Sequence, residues 1–377
     1  MMQPDISTRW QPLSDWRAIA EDWQQLEALA DCSVFLSWQW IGTWLKTWPA
    51  ERFLLRLYES SEQGAELVGL AIISPGFERR HGFVAARQWR LHQSGVDSQD
   101  QIWIEYNAVL SKQGWEVKVQ QAAQDFVLQQ PGWDELILAG IAQQQALSWH
   151  QSGLTAVLDW QAPCFGVDLQ QLRAQGGDYL ASLSANCRYQ INRSKKRYQQ
   201  RGALRLAKPQ DLAEAQAWFA AIGPWHQQRW GTGPGQSGFS NPDFIGFHQA
   251  MLADYWPQQG VELLALMAGD EHLATFYQLR YRQHVYFYLA GFKPEQDKHL
   301  KPGLVGHSLC IEHYSAEGLD FYDFMAGDER YKRQLGFEHN SLCQLRLQRP
   351  RFDLRLEAAA KAGKQRLSGL LGVGKRQ

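Results

Sequence analysis

FYDFMAGDERYKRQLG, residues Phe321–Gly336, runs a short apolar segment into a polar turn. Phe321, Tyr322, Phe324 and Met325 predict a largely buried strand and Gly327 permits a tight exit, after which Asp328, Glu329, Arg330, Tyr331 and Lys332 arrive within one helical turn. A Tyr, a Lys and carboxylates delivered together at the end of a buried strand describe an active-site edge. A solvated strand-to-helix loop would carry the same charges, so the rest of the chain has to decide between the two.

Working outward, strands are predicted over Val261–Met267, Leu273–Arg280 and His284–Ala290, joined by short turns, with a helix over Gly303–Ser315 leading into Phe321. Helices precede them at Gly177–Arg201, stopped by Gly202, at Leu212–Ile222 and at Pro242–Tyr255. Leu342–Leu347 reads as a last strand. The first half repeats the order: helix Leu36–Trp48, paired strands Phe53–Tyr58 and Glu66–Ile73, helix Trp115–Gln129, a Pro131-Gly132 break and strand Glu135–Ala139. Two copies of helix, antiparallel strands, helix, strand predict an internal structural duplication with little residue identity between the copies. The junction is soft, because Thr155–Leu158 can supply a strand of its own. The expected division is 1–170, 171–350 and a basic tail, 351–377.

A length of 377 residues exceeds one average core and fits two domains. Lys+Arg 38 against Asp+Glu 39 leaves a formal net charge of -1, so no global field draws the molecule to nucleic acid or membrane, and nucleic acid is not an expected partner. The tail is the exception: seven basic and two acidic residues with Leu354, Leu356, Leu367, Leu370 and Leu371 fit either a loose solvated helix or a membrane-surface contact. The 5 Cys are scattered with no CxxC pair, which speaks against a disulfide framework or thiolate metal site. The N-terminus lacks a basic start followed by an apolar run, so the expected location is the cytoplasm. His307 and His313 lack HExxH spacing and no Gly-x-Ser-x-Gly occurs, so neither metal nor serine-hydrolase chemistry is expected.

Four stretches in order carry a resemblance: SANCRYQINRSKKRYQQRG (Ser184–Gly202), HQQRW (His226–Trp230), YLAGFKPEQDKHLKPGLVGHSL (Tyr288–Leu309) and FYDFMAGDERYKRQLG. Together they resemble the CelD-type, or BioF-like, acetyltransferases of the GNAT superfamily, related to the Fem-type peptidoglycan aminoacyl transferases. The resemblance implies an α/β (α+β) fold of tandem GNAT-like domains, each a mixed, mostly antiparallel sheet flanked by helices, with the second domain catalytic. It further implies acetyl-CoA or another acyl-CoA as donor and an amino-sugar or cell-surface polysaccharide precursor as acceptor. Where such enzymes carry a Gly-rich pyrophosphate turn, this chain reads Lys301-Pro302-Gly303-Leu304-Val305-Gly306. Pro302 and Gly303 still allow a free helix N-terminus, and Lys298 and Lys301 add charge for an anion.

Acyl transfer needs a deprotonated nucleophile, a polarised carbonyl and a proton for the leaving thiolate. By the resemblance, backbone N–H groups at the end of His284–Ala290 polarise the carbonyl, placing Leu289 and Gly291 beside the donor, and Tyr331 is the acid. For the base, Asp328 and Glu329 sit one turn from Tyr331 and Asp323 lies on the strand among aromatics, where desolvation would raise its pKa; Asp328 ranks first. Asp323, among aromatics, is either bonded to a structural partner or faces substrate, and Lys332 either holds a phosphate or pairs with Asp328. For the acceptor, Arg188 and Arg193 on the basic helix can hold phosphate, as a solvated surface would also explain. His226, Arg229 and Trp230 precede a Gly-Pro loop, Gly231–Pro242, able to fold over a substrate, with Trp230 available either for sugar stacking or for packing. Two other functions remain open: a Fem-like transferase with aminoacyl-tRNA tracked by the basic helix, and a non-catalytic module binding a nucleotide-sugar or an export partner.

Overall fold

The computed structural model describes residues 6–61, 64–149, 153–257 and 260–360. One continuous sheet runs through it. Its strands are β1 (Ile6–Leu13), β2 (Arg52–Ser61), β3 (Gly64–Arg80), β4 (Val84–Leu91), β5 (Leu110–Ser111), β6 (Glu135–Ala142), β7 (Thr155–Asp168), β8 (Leu204–Ala207), β9 (Val261–Ala268), β10 (Glu271–Tyr281), β11 (His284–Phe292), β12 (Phe321–Ala326) and β13 (Phe337–Gln348). The order is β1-β2-β3-β4-β6-β13-β7-β12-β11-β10-β9-β8, with β5 pairing β3.

That order is a palindrome about the β13/β7 pair. Each half supplies an antiparallel run, β1 to β4 and β8 to β11, and each run ends on a parallel partner, β6 or β12. The sixth strands are exchanged: β7 pairs with β12 of the second half, and β13 pairs with β6 of the first. β7 and β13 also pair with each other from Gly166↔Phe337 to Thr155↔Gln348. The duplicated order expected from the sequence is therefore a tandem of GNAT-like units, mostly antiparallel and flanked by helices. A boundary at residue 170 places β7 with the first half, yet its ladder partners are β12 and β13.

Local chemistry explains most elements. Helix Trp38–Thr47 begins at Ser37, whose Oγ accepts from Trp40 N–H, and it buries Trp40, Ile41 and Trp44 in a core shared with helix Pro242–Tyr255. Helix Leu212–Trp230 starts at Asp211 and continues through Pro224 for another turn and a half, eight residues beyond the predicted end. The predicted helix Gly177–Arg201 is two, Tyr179–Ser182 and Ala185–Gln199, because Ser184 leaves helical geometry to cap the second through Cys187 N–H. β1 and β4 were not anticipated. β4 is mostly buried, with only Arg87 exposed, and its partner β3 is longer than the apolar run that marked it, extending into Phe77–Arg80.

The basic tail begins docked. A helix over 352–360 buries Leu354 against Val84 and Ala86, and Glu357 Oε2 pairs with Arg80 at 2.8 Å. Residues 361–377, with Leu367, Leu370 and Leu371, lie outside the described residues.

Candidate functional site

Parallel strands that pair briefly and then part leave a wedge of unpaired backbone. β11 and β12 pair only at His284↔Phe321, Val285↔Tyr322 and Tyr286↔Asp323. Past these, a bulge shifts the β10/β11 register at Tyr288, and β12 turns away at Met325, held at φ 62°. The β-branched-free, bulky Met325 is uncomfortable there, and its N–H donates to Asp323 Oδ1 at 2.6 Å, which stabilises the turn.

The wedge is a cavity of about 340 Å³, walled by Phe287–Ala290 on one side and Phe324–Ala326, Glu329, Tyr331 and Lys332 on the other, and roofed by His226, Arg229 and Trp230. The first half has the same construction with the opposite outcome. β4 and β6 also pair over three residues, Gln88↔Glu135 to Arg90↔Ile137, but Asn107 fills the gap beyond. Its Nδ2 donates to Leu91 O and Ala139 O, both at 3.0 Å, and its backbone N–H donates to Gly140 O at 2.9 Å. One wedge is open and one is stitched shut.

Within the open wedge, Tyr331 stacks on His307 with centroids 5.3 Å apart, and burial raises its phenol well above the ordinary range, so it is a neutral proton donor. Lys332 is buried; its Nζ donates to Ala326 O at 2.6 Å and lies 3.3 Å from Glu329 Oε2. Gly327 makes this possible: at φ 139° a Cβ would meet Glu329 Oε2 at 2.4 Å and Lys332 Nζ at 2.7 Å. His226 Nδ1 meets Ser237 Oγ at 2.8 Å, and burial with Arg229 holds the imidazole down to about 4, neutral at pH 7. The Arg229 guanidinium lies over Trp230 at 5.0 Å and Phe292 at 6.0 Å.

The other expected residues fall elsewhere. Asp328 is exposed and ion-paired to Arg333, outside the wedge, so the geometry does not offer it as the base, nor does Lys332 pair with it. Asp323 is buried under the wedge: its Oδ2 accepts from Tyr106 Oη–H at 2.7 Å and its Oδ1 lies 3.4 Å from His339 Nε2, a structural role. Gly291 is explained by packing, since a Cβ would meet Ile222 Cα at 2.8 Å, and Gly306 by Phe276, whose ring would be met at 2.2 Å. The bulge belongs to Tyr288. Gly303 sits at the uncapped N-terminus of helix Pro302–Ala316, where a Cβ would only touch Phe292 at 3.4 Å. Arg188 is turned onto its own chain, donating to Leu180, Ala181 and Leu183 carbonyls at 3.3 to 3.4 Å. Arg193 lies over Tyr189 at 5.2 Å with its buried Nε unpartnered.

The basic helix and the expected pyrophosphate turn do come together: Lys301 N–H donates to Ser194 Oγ at 2.9 Å. Burial and then Arg193 lower the His299 imidazole, with Arg197 and Lys298 acting in the same direction. Cations therefore gather about the start of helix Pro302–Ala316.

One residue escaped sequence reasoning. Glu105, from the first half, reaches into the wedge and accepts from Ala326 N–H at 2.9 Å. It also lines a second cavity of about 1140 Å³ between the halves, walled by Trp103, Trp160, Gln93, Gln101 and the Gly231–Pro242 loop. Burial, opposed by Ala326 N–H and Lys332, raises its carboxyl to about 7. Its only local signal was an acid between aromatics, Trp103-Ile104-Glu105-Tyr106, 221 residues from its partner.

Among the described residues no group of three or more His, Cys, Asp or Glu could hold a metal, and no helix is long and apolar enough to cross a membrane.

Residues 185–333 match the family model described as an acetyltransferase (GNAT) domain. No curated protein matches the chain. Among solved structures it is similar to FemX, at 9% identity over 88% of this chain and 96% of that one with a TM-score of 0.53. A conserved protein of unknown function from Bacteroides thetaiotaomicron aligns at 10% identity over 91% and 100%, TM-score 0.51. The C-terminal domain assigned to a lysylphosphatidylglycerol synthetase of Agrobacterium fabrum aligns at 11% identity over 92% and 96%, TM-score 0.49. The likenesses to FemX and to the Bacteroides thetaiotaomicron protein show the fold alone, and the segment similar to the GNAT acetyltransferase model ends within the Phe321–Gly336 stretch.

Proposed function

We propose that the GNAT-type acyltransferase domain at residues 185–333 moves an acyl group from coenzyme A to an amine or hydroxyl of an amino-sugar or polysaccharide precursor. The observation that carries this is the asymmetry of the two wedges: β11 and β12 part around an open cavity, whereas Asn107 closes the gap between β4 and β6. A thioester needs a slot between strands where unpaired backbone N–H groups meet the carbonyl, and the second half alone leaves one open among the described residues.

The roles follow from position. The coenzyme's phosphates lie at the N-terminus of helix Pro302–Ala316, near Gly303, Lys301, Lys298 and Arg193, where free N–H groups and cations converge. Its thioester enters the wedge beside Leu289. Tyr331, kept protonated by burial, gives its proton to the departing thiolate. Arg229 and Trp230 close the roof, and Lys332 braces the β12 turn through Ala326 O. The Gly231–Pro242 loop borders both cavities.

Isothermal titration with coenzyme A, acetyl-CoA and an aminoacyl-tRNA tests the reading. Coenzyme A binding without tRNA binding supports it; tRNA binding alone replaces it with the Fem-like donor, and neither leaves a binding module.

A further inference from the structure

The two cavities meet at a short wall made by Trp103, Glu105, Gly235 and Ala326, the residues that line both. On the β11/β12 side lies the open wedge. On the other side, the larger space is built for a polar guest. Gln93 Oε1, Gln101 Nε2 and Arg90 Nε are buried without hydrogen-bond partners, and their residues line it. A buried unpartnered polar atom costs free energy, and these three belong to residues lining one space, so their amide and guanidinium groups keep hydrogen-bonding capacity that a polar guest can use once the side chains turn toward it. Trp103 and Trp160, 43% and 39% exposed, offer flat faces in the same cavity. Donors, acceptors and aromatic platforms around a roomy cleft suit a ring bearing several hydroxyl or amide groups.

The chain spends backbone strain on the wall. Trp103 and Tyr106, on either side of Glu105, are left-handed at φ 44° and 49°, a conformation unfavourable to aromatic side chains. Tyr106 is fixed by donating to Asp323 Oδ2 at 2.7 Å, and Glu105 Oε2 by accepting Ala326 N–H at 2.9 Å. The single hydrogen bond leaves the other carboxylate oxygen available to an acceptor.

We propose that Glu105, supplied by the first half, is the general base for an amine acceptor held in the cavity between the halves, attacking a thioester held in the wedge of the second. The proposal rests on the acyltransferase reading above and adds the site and chemistry of the acceptor. The acceptor ammonium gives a proton to the Glu105 carboxylate, and the freed amine nitrogen forms a C–N bond to the thioester carbonyl carbon. The C–S bond then breaks and the thiolate takes the Tyr331 phenol proton. The proton remaining on the new amide nitrogen passes to the Tyr331 phenolate, and Glu105 returns its own proton to solvent, so the balance is ammonium plus thioester giving amide, thiol and H⁺.

The groups facing Glu105 fit a base that changes charge near neutrality. Lys332 favours the carboxylate, while Asp323 of β12 and Glu329 favour the acid. The Tyr288 hydroxyl of β11, the Cys164 thiol of β7 and the Tyr106 hydroxyl are all raised by burial and stay neutral. With burial, the outcome is a carboxyl near pH 7, matched to proton removal at that pH.

The decisive variant is Glu105→Gln, which keeps an acceptor for Ala326 N–H and loses the base. With acetyl-CoA and glucosamine as probes, thiol release should fall about 100- to 10,000-fold in kcat/KM. The wild-type acid limb with an apparent pKa near 7 should vanish from the residual activity, and calorimetric affinity for coenzyme A should be unchanged. A merely structural residue would lower activity without flattening the profile. Equal turnover or an intact acid limb in the variant overturns the proposal. Wild type that fails to bind coenzyme A instead overturns the acyltransferase reading. An infrared difference spectrum, wild type minus Glu105→Gln, needs no substrate: a protonated-carboxyl band titrating near pH 7 supports the base, and one titrating at an ordinary carboxyl value overturns it.

Discussion

At the residue scale, the wedge turns on Tyr331, which lines the cavity with its ring fixed against His307 and Phe324. Tyr331→Phe keeps those ring contacts and removes the proton assigned to the departing thiolate. Turnover should fall roughly 10- to 10,000-fold with coenzyme A affinity nearly unchanged, measured by thiol release and calorimetry; normal turnover ends the assignment. Buried imidazoles set a second expectation. His248 and His307 are held neutral down to about pH 3 by burial, against 6.5 for the free ring. Below pH 6.5 the unfolded chain binds more protons than the fold, so stability is full above 6.5 and falls as pH drops toward 3. Glu135 adds a lower window: burial would raise it, but hydrogen bonds from Arg80 and Gln88 hold it at about 2, so its contribution fades between 4.5 and 2. Melts from pH 7 to pH 5 should show a steady loss, reduced in His248→Gln; a flat midpoint over that range contradicts the account.

At the element scale, the helix Pro302–Ala316 separates two glycines that look alike in sequence. Gly303 is at the uncapped first turn, where only an ordinary contact with Phe292 awaits a side chain. Gly306 faces the fully buried Phe276 ring at a distance no Cβ tolerates. Gly303→Val should weaken coenzyme A binding by blocking the approach of phosphate to the backbone, with the melt preserved, whereas Gly306→Ala should cost about 1–3 kcal/mol by overpacking. Denaturant curves and titrations read the two effects separately, and the reverse pattern would move the pyrophosphate site one turn along. The same contrast shows what the sequence could disclose. Strands with a clear apolar period, the stop at Gly202 and the strand-to-helix edge at Phe321–Gly336 all follow from local rules, whereas Tyr331 and Leu289 were singled out only through the resemblance; both line the wedge with Lys332 and Arg229. Asp328 and Glu105 could not be told apart locally. Asp328 was near Tyr331 in sequence but is drawn outward by Arg333, and Glu105 was remote but is folded inward by the Trp103 and Tyr106 turns. The glycines misled for the same reason, because tight packing against Phe276 or Ile222 leaves no mark in a one-dimensional pattern.

At the scale of the whole molecule, the exchanged strands make the halves interdependent. β13 completes the first half's sheet beside β6, β7 completes the second's beside β12, and the helix over 352–360 returns to Val84 and Ala86. Glu135 at the β6 edge is fully buried among Arg80 of β3, Arg346 and Gln348 of β13, and Gln88 of β4, so removing β13 strips partners from a buried carboxylate. Losing partners from such a group is strongly destabilising, and an unpaired β6 or β12 is an open invitation to edge pairing. The proposed division at 170/171 therefore marks repeat order and not autonomy. Residues 171–350 expressed alone should aggregate, because β12 and β13 lose the strand between them. A fragment beginning at Leu154 restores that strand and should recover soluble, cooperatively melting protein with the wedge but without Glu105. It should bind coenzyme A yet transfer more slowly than Glu105→Gln, because the first-half wall of the acceptor cavity, with Gln93, Gln101 and Trp103, is lost together with the base, measured by chromatography, calorimetry and thiol release. A soluble, fully active 171–350 fragment would show that neither the exchanged strand nor the first half's carboxylate is needed, and that the second half works alone.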